Sequence, residues 1–161
     1  MASIINNRGV GVVEIVVVAG ITSLVLVSIL QLLVLSTRPV GTGIRETQAN
    51  FYAEEAIEAV RLLRNTDWSD NIANKTSGTT YYPVLSSNNW TLSTTNPGNV
   101  DGIFERTVVL GDVYRDTNDN INSVGTLDSK TRKVTATVAW DDHGQAKSVV
   151  IETYVTNFLG T

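Results

Sequence analysis

Hydrophobic and polar positions divide the chain into stretches of different period. From Val10 to Leu35, 26 residues carry one charged side chain, Glu14. At about 1.5 Å per residue such a run makes a helix of about 39 Å, enough to cross a hydrocarbon core of about 30 Å with some tilt. It is too long for the apolar core of a secretory signal, which runs about 7 to 15 residues before a small-residue cleavage site. A retained membrane anchor is expected over 10–37. Before it lies Met1 to Gly9, short and polar with a cation at Arg8, which places this end in the cytoplasm and everything after Arg38 outside.

Pro39, Gly41 and Gly43 follow the anchor and predict a kink or melted stretch, because proline lacks the N–H and glycine raises the entropy cost of helix. Helical period then resumes over 38–64. Ala49, Tyr52, Ala53, Ala56, Val60 and Leu63 recur at intervals of three and four, while Arg45, Glu46, Glu54, Glu58 and Arg61 turn mostly to other faces. This is an amphipathic helix of about 20 residues whose stripe should lie on a soluble part. Asn65 to Gly102 holds 38 residues, of which 24 are Asn, Ser, Thr, Gly or Pro, and reads as a long surface loop with at most a short strand around Tyr81 to Leu85.

Beyond the loop the period becomes two. Val134, Ala136, Val138 and Trp140 alternate with Lys133, Thr135, Thr137 and Ala139, and after Asp141-Asp142-His143-Gly144 a second strand runs from Lys147 to about Thr156. With a third strand from Ile103 to Arg115, a small antiparallel sheet of three or four strands is expected to pack on the amphipathic helix. The fold class is therefore α+β: a long N-terminal hydrophobic helix, continuing into an amphipathic helix, with a β-sheet head over 65–161. Trp140 reads as a core aromatic, and packing is also the favoured reading for Trp68 and Trp90 in their polar surroundings.

Composition narrows the function. The chain has 161 residues, 12 Lys+Arg against 16 Asp+Glu, one His and no Cys. An acidic balance without a basic block gives a phosphate backbone nothing to bind, so nucleic acid is not an expected partner. Without cysteine there are no disulfides, thiolate nucleophiles or Cys-based metal sites, and a lone His143 in a polar turn cannot anchor a catalytic constellation. No enzyme is read here. Asp112, Asp116, Asn118, Asp119, Asn120 and Asp128 make an oxygen-rich stretch, in which Asp116, Asn118 and Asn120 match positions one, three and five of an EF-hand loop. Ile121 and Leu127 stand where that loop needs Gly and Glu, so a solvated loop is favoured over calcium, and no cofactor is expected. Asn74-Lys75-Thr76 and Asn89-Trp90-Thr91 match the N-glycosylation acceptor pattern, which is short enough to arise by chance.

Glu14 requires an explanation, since an acidic side chain at the centre of a membrane helix costs about 2.5–3.5 kcal/mol of insertion and somewhat less near an end. Cleavage after Gly9 would make it the fifth residue of the mature chain. Arg8-Gly9-Val10-Gly11-Val12-Val13-Glu14 and the apolar run behind it resemble the type IV prepilin signature: a short basic leader ending in Gly, Glu at the fifth mature position, then about 20 hydrophobic residues. The first mature position holds Val10 where that family usually has Phe or Met. The run from Phe51 to Arg61 resembles the second half of the long helix in minor pilins, and Arg132 to Trp140 their penultimate strand.

The resemblance implies a prepilin peptidase that removes Met1 to Gly9 and methylates the new amine of Val10. It also implies like or related pilin subunits and an inner-membrane assembly platform as partners. Absence of a cysteine pair fits a minor pilin or pseudopilin, with an abundant pilin still open. In a helical assembly, the Val10 ammonium of one subunit can meet the Glu14 carboxylate of a neighbour. At about 4 Å and an effective dielectric of about 20, the attraction is about 4 kcal/mol before desolvation is subtracted. Gly20, Ser23 and Ser28 supply small surfaces for close helix approach. The rival expectation is a membrane-tethered binding module that does not polymerise.

Overall fold

A computed structural model describes residues 8–158, with the backbone alone at 8–10 and 35–42. The leader residues Met1 to Asn7 lie outside the described residues. The fold is α+β: an N-terminal helix α1 (Arg8–Thr66), a π-helical turn (Ser69–Ala73) and six strands, β1 (Thr80–Ser86), β2 (Asn89–Ser93), β3 (Glu105–Arg115), β4 (Ile121–Asn122), β5 (Thr126–Asp142) and β6 (Gln145–Thr156). The chain divides into two compact units, Met1–Ile44 and Arg45–Thr161.

In the first unit, Gly11–Val34 is helical, long and apolar enough to cross a membrane, and none of it is buried. Its hydroxyls are satisfied within the helix. Thr22, Ser23 and Ser28 donate to the carbonyls of Val18, Ala19 and Leu24 at 2.7, 2.8 and 2.8 Å. A polar side chain that returns its hydrogen bond to the preceding turn spares itself the cost of an unmatched donor in lipid.

Pro39, Gly41 and Gly43 are all helical, which corrects the expected melted stretch. Proline withdraws one N–H and disfavours the turn before it, a local cost of about 3 kcal/mol.

In the second unit the helix lays Ala49, Ala53, Ala56, Ile57, Val60 and Leu63 on the sheet, all buried. The alanines bring helix and sheet close at one end, where Phe104, Val138 and Trp140 fill the space with Ala49 and Ala53. At the other end Val60 and Leu63 meet Trp68, Ile72, Val108, Leu110, Val134 and Val155. The sheet is antiparallel in the order β2-β1-β3-β5-β6, with β4 folded back on β3. Strands β5 and β6 pair without a register break from Thr131↔Thr156 to Asp142↔Gln145. His143 and Gly144 close this hairpin with φ of 56° and 82°, the positive pair a two-residue turn needs to match the strand twist.

Two expectations about the head are corrected. The sheet has six strands rather than three or four, and Asn65 to Gly102 is not one long surface loop. The β1–β2 hairpin lies within it, turning at Ser87 and Asn88 with φ of 50° and 64°. Trp68 is 4% exposed, and the π-helical turn behind it is held to the sheet by Arg132, whose guanidinium donates to the carbonyls of Ala73 and Lys75 at 2.9 and 3.0 Å. Arg106 joins hairpin to helix. Its guanidinium pairs with Glu55, donates to the Pro83 carbonyl at 3.3 Å and lies 5.3 Å from the centre of the Trp90 ring.

Gly125, just before β5, is an unavoidable glycine. A Cβ there would stand 2.0 Å from the Arg115 carbonyl oxygen. Gly125→Ala is expected to cost about 1–3 kcal/mol by forcing the β4–β5 connection off β3, seen as a lower denaturation midpoint with faster amide exchange at Arg115 and Asp116. Unchanged exchange there would contradict the close approach.

Candidate functional site

The residues singled out in the sequence fall in separate places. Gly9 and Val10 have helical backbone, and their side chains, together with the leader before Arg8, lie outside the described residues. Glu14 is one turn further on, exposed, and shares a helix face with Gly11, Ile15, Val18, Ala19, Thr22 and Ser23. Gly11, Ala19 and Ser23 leave this face low around the carboxylate, so another helix can approach it closely. Glu14 is the only acidic or basic residue from Gly11 to Val34, and the span around it offers no cation. A carboxylate carried into lipid on such a helix is costly unless a positive charge is brought to it.

The three calcium candidates sit together in one turn. Asp116 Oδ1 accepts the backbone N–H of Asn118 at 2.8 Å and of Asn120 at 2.9 Å, and Oδ2 accepts the Asn120 amide at 3.3 Å. The carboxylate thereby fixes the turn between β3 and β4, where Asp119 sits at a φ of 65°. Asp128 faces the Arg115 guanidinium at 2.7 Å, and Asp112 pairs with Arg132. Each of these three carboxylates is therefore matched by donors of the protein itself. Among the described residues no group of three or more His, Asp or Glu side chains converges as metal ligands. A repeating Asp-x-Asn pattern reads alike for a metal loop and for a self-capped turn.

Hydrogen bonds set the titration of this corner. The N–H donors of Asn120 and Asn118 hold the Asp116 carboxyl below its ordinary range against slight desolvation. Burial pushes the Asp128 carboxyl up, but donors from Arg115, Thr131 and the Lys130 N–H outweigh it and leave the group lowered. A carboxyl lowered in the folded state contributes stability above its unfolded pKa of about 4, and loses it as pH falls through the folded value. The β3–β4–β5 corner is therefore expected to loosen below about pH 4, with amide protection at Asn118 and Asn120 falling before that of β5 and β6. Asp116→Asn should remove most of this local acid dependence. If the variant and parent lose protection in parallel, the Asp116 turn is not its source.

Trp140 and Trp68 are core aromatics, and Trp90 is packed half-buried against the core. His143 is exposed, with Nδ1 2.9 Å from Asp142 Oδ1, which also takes the Arg45 guanidinium at 2.7 Å. That arrangement ties the β5–β6 turn to the head helix. No family model, curated protein or solved structure matches the chain.

Proposed function

We propose that the chain is a structural subunit of a type IV pilus or type II secretion-like filament, a minor pilin or pseudopilin by its lack of cysteine. It is made as a prepilin, held in the cytoplasmic membrane with its head outside, and works by assembly rather than turnover. The observation that carries this reading is Glu14: one carboxylate, five residues beyond Gly9, on the small-residue face of an otherwise apolar and fully exposed helix. A single chain gives that carboxylate no reason to be there, whereas a neighbour's freed Val10 amine does. A long N-terminal helix followed by an α+β head is compatible with a pilin-like architecture.

Processing tests it. The protein extracted from membranes of cells that carry a prepilin peptidase is expected to begin at an N-methylated Val10 on N-terminal sequencing and mass analysis. A chain that begins at Met1 or Ala2 in such cells overturns the filament reading and leaves a membrane-tethered head.

A further inference from the structure

Beyond the helix, the outer face of the sheet carries a cleft of about 550 Å³, where β4 folds back on β3 beside β5 and β6. It exists because β3 bulges: the register against β5 shifts between Asp112 and Tyr114, which buries Val113 and sets Tyr114 in the wall. Bulges of this kind re-aim side chains next to binding sites. Tyr154 lines the cleft from β6, directly across the ladder from Lys133, and is 47% exposed. The β4 end adds Ile121, Asn122 and Ser123, one apolar and two polar side chains.

The charges at the cleft are already matched. Lys133 Nζ lies 2.8 Å from Glu152 Oε1, and Asp112 pairs with Arg132. Glu152 holds the Lys133 ammonium above its ordinary range, and Lys133 in turn holds Glu152 below its own. Each charge at the cleft thus has its counter-charge within the protein, so an added phosphate, carboxylate or cation meets no uncompensated opposite charge there. What remains on offer is two tyrosines, the exposed Ile121 and the polar side chains of Asn122 and Ser123, in a volume within the range of about 300–1,000 Å³ usual for small-ligand sites. Flat apolar ring faces stack on tyrosine, while the hydroxyls around their edges take up mixed donors and acceptors. Pyranose sugars have this combination.

We infer that the cleft between Tyr114 and Tyr154 is a binding site for a neutral oligosaccharide. It lies wholly in the head, so it stands or falls apart from the filament reading.

The test uses the full chain in a zwitterionic, non-glycosidic detergent, since a maltoside would itself compete. Maltotriose, cellotriose, chitotriose and galactobiose are each titrated by saturation-transfer NMR, with inorganic phosphate as the anionic control. At least one neutral sugar is expected to bind at up to about 10 mM, and excess phosphate should not displace it. Tyr154→Ala should weaken binding by about tenfold, whereas Tyr154→Phe, which keeps the ring, should retain it. Both changes are at an exposed position that the core does not need, and unchanged denaturation midpoints would show that the head still folds. Three results would overturn the inference: no transfer to any of the four sugars, affinity unaltered in Tyr154→Ala, or displacement by phosphate.

Discussion

Phe104→Ala is expected to destabilise the head by about 3–5 kcal/mol. Phe104 is fully buried at the end of the turn that begins at Val100, where its carbonyl accepts the Val100 N–H at 2.8 Å and its own N–H donates back to the Val100 carbonyl at 3.0 Å. Its ring stands 5.3 Å from that of Tyr52 and 5.8 Å from that of Trp140, both tilted, in the edge-to-face range that adds to simple burial. Ala49 and Ala53 press on it from the helix, and an alanine has no side chain able to swing into the space a lost ring would leave. The cavity therefore persists, and the cavity contribution adds to the lost transfer energy. Urea denaturation of the full chain in detergent, followed by tryptophan fluorescence, measures it. Phe104→Leu, which keeps most of the volume, should cost far less, about 1–1.5 kcal/mol. Equal losses for the two variants would mean that the site collapses on deletion, and that the Ala-lined contact between helix and sheet is softer than its burial implies.

The elements that were legible in the sequence are those whose burial is one-sided and regular. Val134, Ala136, Val138 and Trp140 face the helix at every second position, and all four are buried, so the alternation marks β5 without ambiguity. The Ala49-to-Leu63 stripe was legible for the same reason at helical period. Edge elements gave less away. In the β1–β2 hairpin Tyr81 and Pro83 are buried and Tyr82, Val84, Trp90, Leu92 and Ser93 half-buried, while Ser86, Asn89 and Thr91 are the polar residues that an edge facing water can carry. Their composition is that of a loop, although their backbone is paired. The first residues of β5 were hidden for another reason: Thr126 and Leu127 pair with Arg115 and Tyr114 only beyond the bulge in β3, and a shift of register leaves no periodic trace. For sites the division is similar. Glu14 announces itself as a charge where the solvent should be lipid, whereas Tyr114, Asn122, Lys133 and Tyr154 come together from four strands and are individually ordinary surface residues.

On the proposed filament reading, Glu14→Ala is expected to leave membrane insertion intact and to lower incorporation into sheared filaments by about tenfold or more, with the protein accumulating in the membrane fraction instead. Insertion should if anything improve, because the substitution removes a penalty of up to about 2.5–3.5 kcal/mol. Assembly should suffer on that reading because the proposed attraction between the Val10 ammonium and the carboxylate, about 4 kcal/mol before desolvation, would lose one partner, and the amine would then enter the packed helices uncompensated. Removing one member of a buried pair is costlier than removing both, so the variant carries the full desolvation cost of the remaining charge. This sets a second expectation: Glu14→Gln, similar in shape and still able to accept a hydrogen bond, should restore little, since neutralisation of the ammonium rather than space-filling is what the site supplies. Glu14→Asp, which keeps the charge on a shorter stem, should recover more than Glu14→Gln. If Glu14→Gln assembles as the parent does, the carboxylate acts as a hydrogen-bond acceptor and the charge pair is wrong; if Glu14→Ala also assembles normally, no partner group meets this position at all.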